Sequence, residues 1–250
     1  MNHLLSVKSQ EEIAHNIYKM VIHGPITSKM KTPGQFAHIR VNETSAFMLR
    51  RPISISDVDA VNETFTIVYR AGGKGTTELS KLKAGDNVDV LAPLGNGFPV
   101  EEANHVLIVG GGIGVPPLLE LTKQLHKRGV KTTHVLGFSS KREVFYEEEF
   151  SRYGDTYIAT VDGSYGTKGF VTDVIDTLDT KFDKFYSCGP KVMLKVLSDT
   201  LDMDGYISLE ERMGCGFGAC YACVADKKED GTQVKLCVDG PVFKKGEIIL

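Results

Sequence analysis

The sequence predicts a three-part chain: a β-barrel over residues 1–99, a doubly wound α/β domain over 100–205 and a small cysteine-bearing domain over 206–250. Three observations predict it. Short apolar runs punctuated by Gly, Pro and Asn fill the first hundred residues. Near residue 110 a wholly apolar run meets a glycine-rich turn and opens an alternation of strands and helices. Four of the five cysteines crowd near the C-terminus.

In the first segment, 36–41, 65–70 and 88–91 read as short strands, and a closed barrel hides the edges of so many short strands. In the second, Val106, Leu107, Ile108 and Val109 form a buried-strand run. Gly110, Gly111, Gly112, Ile113 and Gly114 follow as a turn, and Leu118, Leu121 and Leu125 recur at helical spacing. Pro116 and Pro117 suit a helix's first turn, and Gly129 suits its end. Further strands are expected at 130–138, 157–161 and 185–187. Strands alternating with helices imply a parallel sheet with helices on both faces. The third segment is too short for a core of its own, so something besides hydrophobic burial must staple it.

Composition bounds the function. With 250 residues and 42% apolar side chains the chain can bury a core. A net charge of −3, with Lys and Arg dispersed, argues against nucleic acid as a partner. The N-terminus lacks the pattern of a secretory leader and no apolar run is long enough to span a bilayer, so a cytoplasmic protein without membrane contact is expected.

Cys215, Cys220 and Cys223 stand at C-x4-C-x2-C, and Cys237 follows a hairpin-like stretch with Asp230 and Gly231 at its turn. This is the plant-type [2Fe-2S] spacing. Gly214, Gly216, Gly218 and Ala219 are small enough for the backbone to wrap tightly and aim N–H groups at sulfur. A structural zinc site also uses four thiolates, but it pairs two short knuckles. Cys188 stands apart, before Gly189 and Pro190.

Arg51, Pro52, Ile53 and Ser54 occupy a strand-like position, and Gly72 to Thr77 opens a short helix. A guanidinium, hydroxyls and helix-start N–H groups together suit a diphosphate. The turn after Val109 has the strand–turn–helix context of a nucleotide site but departs from G-x-G-x-x-G. No acidic residue lies about twenty positions on to take a ribose hydroxyl; Ser139, Ser140, Lys141 and Arg142 stand there. NAD and NADP both remain open on these residues.

Taken in order, these pieces resemble the ferredoxin-reductase superfamily over essentially the whole chain. The R-P-I-S motif, in which Ile53 replaces the usual aromatic residue, is similar to one branch in particular. So are Val68, Tyr69 and Arg70, Gly75 and Thr76, the run from Met213 to Cys223 and the ending from Cys237 to Phe243. That branch is the electron-transfer subunits of class 1B dihydroorotate dehydrogenases.

The resemblance implies that Arg51, Pro52, Ile53, Ser54, Val68, Tyr69, Arg70, Gly75 and Thr76 contact FAD. It implies that Gly110, Gly111, Gly112, Ile113 and Gly114 bind the pyridine nucleotide, with Cys188, Gly189 and Pro190 beside the nicotinamide. Cys215, Cys220, Cys223 and Cys237 would ligate the cluster. It further implies a separate FMN-containing subunit that oxidises dihydroorotate, two copies of each chain in the complex, and electron flow through the cluster and FAD to NAD. Flavin–nicotinamide hydride exchange needs alignment and dryness more than a general base, so no acid–base residue is assigned. Rival readings are the same architecture serving a sulfite reductase, a sulfhydrogenase or a ferredoxin:NADP reductase, and a zinc-stapled nucleotide-binding regulator.

Overall fold

The computed structural model describes residues 2–42 and 47–250. Six antiparallel strands form a closed barrel in the order β1-β2-β5-β4-β3-β6. They are β1 (Asn2–Ala14), β2 (Ile17–His23), β3 (Phe36–Ile39), β4 (Arg51–Asp59), β5 (Thr64–Arg70) and β6 (Asn87–Leu94). Closure pairs every strand on both sides, so no edge is left to template aggregation. Inside it, Val7, Met20, Ile22, Ile39, Ile67 and Val90 are buried in one cluster.

Residues 2–23, which sequence patterning does not single out as strands, form the long hairpin of β1 and β2. The polar run Ser9 to Glu12 and register shifts at Val7/Ser9 and Glu12/Ala14 break the alternation that marks a strand. Asn16, at φ 58°, makes the turn, in the left-handed region that Asn tolerates.

The short helix α1 (Lys74–Leu79) lies between β5 and β6, and the second domain begins after β6. Its order is β7 (His105–Gly111), α2 (Pro117–Lys127), β8 (Lys131–Phe138), α3 (Glu147–Ser151), β9 (Gly154–Thr160), β10 (Thr167–Lys168), α4 (Val171–Ile175), β11 (Lys184–Cys188), α5 (Lys191–Thr200) and β12 (Gly205–Ser208). The sheet runs β10-β9-β8-β7-β11-β12, all parallel. Alternate residues of β7 face opposite sides. Val106 and Ile108 join the core under α2 and α3, whereas Leu107 and Val109 join the core under α4 and α5. The chain reverses direction across the sheet between β7 and β11, which opens a crevice at their C-terminal ends.

The last segment carries the hairpin β13 (Val224–Asp226) and β14 (Gln233–Lys235), with Gly231 at φ 70° in its turn, and then β15 (Val242–Lys244). β15 adds antiparallel to β12 at the edge of the large sheet. Leu236, Phe243 and Ile248 are buried in the same core as Leu107 and Leu197. Hydrophobic burial against the neighbouring sheet therefore contributes to holding this segment, which the sequence reading had left to the cysteines.

Barrel and sheet are joined by a shared core. Ile17, Val68 and Phe98 pack with Val115, Leu118 and Tyr186, and the Phe98 and Tyr186 rings meet edge to face at 5.8 Å. At its rim the Val58 N–H donates to Glu120 Oε2 at 3.2 Å, and Lys123 pairs with Asp57.

Candidate functional site

A cavity of about 480 Å³ lies where the barrel, the switch point and the C-terminal segment meet. Arg51, Pro52, Ile53 and Ser54 on β4, Val68, Tyr69 and Arg70 on β5, and Thr76 on α1 form its barrel side. Ile113 from the glycine turn and residues 208–213 close the other. Its size is that of a small-molecule site. Three motifs separated in sequence thus share one cavity.

β4 and β5 are neighbours, which puts the two barrel motifs side by side. The Arg51 guanidinium lies over the start of α1: a Cβ added at Gly75 would fall 2.6 Å from both Nε and Nη2. Its Nη1 donates to the Leu49 carbonyl at 2.5 Å, which fixes the fork. Tyr69 donates its hydroxyl to Gln10 Oε1 at 2.8 Å, inside the barrel, and burial pushes that phenol up. Its ring, not its oxygen, is what it offers a ligand. Arg70 pairs with Glu143 at 3.1 Å, tying the barrel to the second domain. Together the forked cation, hydroxyls and apolar walls fit a flavin dinucleotide.

At the switch point the glycine turn interlocks with the turn after β11. A Cβ on Gly114 would meet the Cys188 carbonyl oxygen at 2.4 Å, and one on Gly189 would come within 3.1 Å of the Gly111 Cα and N. Only glycine permits this approach of two backbones. Gly112, at φ 52°, has nothing within 4 Å of its Cβ position and faces open space. Gly110 packs on Val115 and Leu118, and Pro190 precedes α5. Such a crevice, with two backbones in close approach and open space at Gly112, fits a pyridine dinucleotide.

Cys188 does not reach the cavity wall. It is 1% exposed at the end of β11, in register with Gly110 and Ser208. Burial, with the Glu210 carboxylate nearby, pushes its thiol well up, which suits packing better than nucleophilic attack. Ser208 and Glu210 line the cavity in its place. Glu210 is open to the cavity but walled by protein, and burial raises its carboxyl above the ordinary range. Sequence reading missed 208–212 because nothing marks it except that it runs directly into the motif that begins at Met213.

No acidic residue stands about twenty positions after the glycine turn, but topology brings one from further along the chain beside Ser139. Asp162, just beyond β9, donates its backbone N–H to the Ser139 carbonyl at 3.3 Å, which sets its backbone beside the end of β8. Its carboxylate accepts from Ser164 Oγ at 2.6 Å and Ser164 N at 2.9 Å, bonds that hold it below the usual carboxylate range and ionised.

The four clustered cysteines resolve into two pairs. The Cys215 N–H donates to Cys220 Sγ and the Cys220 N–H to Cys215 Sγ, each at 3.3 Å, with the sulfurs 3.4 Å apart. Cys223 and Cys237, both buried, form the other pair, and burial together with the Cys223 thiol pushes Cys237 up to about 12. Burial also pushes Cys215 up. N–H groups of Cys220, Phe217 and Ala219 and the Cys220 thiol outweigh it and bring Cys215 down to about 6. Among the described residues no three His, Cys, Asp or Glu side chains converge on one point fit for a single ion. Four thiols in this loop, with N–H groups of Cys215 and Cys220 on each other's sulfurs, fit a [2Fe-2S] cluster.

His38 borders both the flavin motif and the cysteine loop. It lies on β3, 0% exposed, in register with Pro52. Burial holds its ring below the usual range, and so do Arg50 and Arg51; the Cys215 and Arg50 carbonyls act in the opposite sense.

Comparison with known proteins agrees with this geometry. The family model for the iron–sulfur cluster binding domain of dihydroorotate dehydrogenase B matches residues 210–249. Over 251 aligned positions the chain is 56% identical to the electron transfer subunit of dihydroorotate dehydrogenase B (NAD(+)) of Bacillus cereus, covering 98% of this chain and 97% of that protein. The subunit of the same name from Bacillus anthracis matches to the same extent. Among solved structures, a chain from the NADH-dependent reduced ferredoxin-NADP oxidoreductase superposes with TM-score 0.90 at 34% identity, over 99% of this chain and 90% of that one. A ferredoxin NADP+ reductase from Neisseria gonorrhoeae with bound FAD and NADP, 15% identical, covers 78% of this chain and 87% of that one at TM-score 0.63 and shares the fold.

Proposed function

From the premise that the chain belongs to the family of electron transfer subunits of NAD-dependent dihydroorotate dehydrogenase B, we propose how its residues do that work and with what partner. The chain is an oxidoreductase subunit that uses FAD, a [2Fe-2S] cluster and NAD. The observation that carries the residue assignment is the single cavity walled by both barrel motifs, the glycine turn and the segment leading into the cysteine loop.

Arg51, Ser54 and Thr76 would hold the FAD diphosphate, and Pro52, Ile53, Val68 and Tyr69 would supply the apolar wall of its site. Arg70 closes the edge of the site through Glu143. Gly75 leaves room for the Arg51 fork. Gly110, Gly111, Gly112, Ile113 and Gly114 receive NAD on backbone N–H groups, with Gly189 and Pro190 forming the opposite lip and Cys188 packed beneath. Cys215, Cys220, Cys223 and Cys237 hold the irons. When bound, FAD trades a two-electron hydride with nicotinamide and single electrons with the cluster, which is the cofactors' own chemistry. The protein supplies alignment and keeps water out.

The partner is an FMN-containing catalytic subunit that oxidises dihydroorotate, in a complex of two plus two chains in the cytoplasm. Among the described residues no helix is long and apolar enough to cross a membrane. The test is anaerobic reconstitution of the chain with that subunit, dihydroorotate and NAD. NADH should form only when both proteins are present. NADPH-driven reduction of ferredoxin by the chain alone, with no dihydroorotate-linked turnover, would favour the reductase reading that the 34% identity to the oxidoreductase chain keeps open.

Two predictions follow from the crevice. Cys188→Ser should retain NAD-linked activity within about tenfold, since the thiol only packs; loss of all turnover with FAD and iron retained would give the sulfur a chemical role. Asp162→Ser should improve use of NADP relative to NAD on the order of tenfold, because an ionised carboxylate beside the adenosine ribose would repel a 2′-phosphate. The ratio of kcat/KM values measures it, and an unchanged ratio would remove Asp162 from the ribose site.

A further inference from the structure

We propose that Met213 bridges the flavin cavity and the cysteine loop, and that its side chain and the backbone from Met213 to Cys215 carry single electrons between the iron–sulfur cluster and FAD. The proposal deepens the cavity and cluster assignments above and rests on them.

An electron that moves singly between two buried groups tunnels through the protein between them, and it crosses bonded or closely packed atoms far more readily than an empty gap. In each pass the cluster loses one electron and FAD gains one, and two passes load the flavin for one hydride. The fold must therefore supply an unbroken line of atoms from the flavin cavity to the cluster sulfurs.

That line is shortest at Met213. The residue walls the cavity together with Ile53, Tyr69 and Ile113. It is 9% exposed and belongs to the same buried core as Cys223 and Cys237. Its neighbours in the segment do not share this position, since Arg212 is exposed and Glu211 pairs with Lys191. Met213 also stands only two residues before Cys215. The Cys215 N–H, part of the peptide that follows Gly214, donates to Cys220 Sγ at 3.3 Å. A Cβ on Gly214 would lie 3.0 Å from that sulfur, so the backbone itself is pressed against the cysteine pair, and glycine keeps it there. From Met213 the path thus reaches Cys215 through covalent bonds and Cys220 through one further hydrogen bond.

The other routes from the cavity are longer. Pro241 also lines the cavity, but it stands four residues after Cys237. On the barrel side Pro52 pairs with His38, whose ring lies against the Gly216 turn, so that route crosses from β4 to β3 and through a ring before it meets the loop. A methionine suits the bridge physically. Its unbranched, polarizable thioether follows an irregular gap and keeps contact on both sides, whereas a void would forfeit those contacts.

The experiment uses the full-length chain loaded with FAD and iron, as wild type, Met213→Leu, Met213→Ala and Met213→Val. Cofactor content and the midpoint potentials of FAD and cluster are measured first. A wild type that lacks either cofactor, or passes no electron between them, refutes the assignments beneath the proposal; a competent wild type lets the bridge be judged on its own. A laser flash with an external photoreductant then injects electrons, and their equilibration between FAD and cluster is followed at the absorption bands of each. Met213→Ala should slow equilibration by about tenfold or more, the lower end of what losing an outer partner of a metal site costs, with both potentials unchanged. Met213→Leu refills most of the space and should restore most of the rate. A loaded Ala variant that equilibrates at the wild-type rate overturns the proposal. So does a slower rate accompanied by shifted potentials, which traces the change to driving force. If the Ala variant does not retain both cofactors, Met213→Val, which shortens the side chain less, is judged by the same two criteria. Loss of a cofactor from both shortened variants makes Met213 a structural residue and overturns the proposal.

Discussion

With Cys223 replaced by serine, the chain is expected to lose its iron and to pass electrons to or from the catalytic subunit more than about 100-fold more slowly, a larger loss than the 10–100-fold that outer partners of a metal site typically cost. Thiolates are the cluster's ligands, and a serine hydroxyl is not ionised at neutral pH. FAD should stay bound, because the barrel motifs share no hydrogen bond with Cys223. Iron analysis and the visible spectrum read the first effect. The second is read by comparing dihydroorotate-to-NAD turnover with NADH oxidation by ferricyanide, which needs only the flavin. A Cys223→Ser chain with full iron and undiminished coupling would take Cys223 out of the ligand set. The rest of the fold should survive. Leu236, Phe243 and Ile248 anchor the segment in the sheet's core, so the cluster's binding energy is spent locally on the cysteine loop.

That local character explains how much of the site is legible in sequence. Cys215, Cys220 and Cys223 lie within nine consecutive residues, and their spacing announces their chemistry without any tertiary structure. The same holds for Gly110 to Gly114, because a strand, a turn and a helix are contiguous by construction. The barrel motifs were readable for the same reason, and β4 and β5 being neighbours then brought them together. What stayed hidden depends on topology. Asp162 approaches Ser139 only because β8 and β9 pair in parallel, so that their C-terminal ends coincide. Ser208 and Glu210 reach the cavity because β12 pairs with β11 and ends in register with Cys188. The hairpin of β1 and β2 was hidden differently, its alternation broken by bulges and by the polar run from Lys8 to Glu12.

Replacing Arg51 by alanine should weaken FAD binding by about 10- to 150-fold, the equivalent of the roughly 1.5–3 kcal/mol typical of a hydrogen bond to a charged group. The guanidinium is already held in place by the Leu49 carbonyl and lies against Gly75, so it binds without first being ordered. Lysine should recover only part of the loss, since an ammonium is a point charge and cannot reproduce the fork that meets two phosphate oxygens at once. Quenching of flavin fluorescence on titration gives the affinity directly. Thermal unfolding separates binding from a general defect, because FAD stabilises only the folded chain by an amount that falls as its dissociation constant rises. The variant without FAD should therefore melt like the wild type without FAD, while the upward shift on adding FAD shrinks. An unchanged affinity would remove Arg51 from the diphosphate site. An equal loss of stability with and without FAD would make it a structural residue of β4, and the cavity's claim to the flavin would then rest on Ser54, Thr76 and the apolar wall alone.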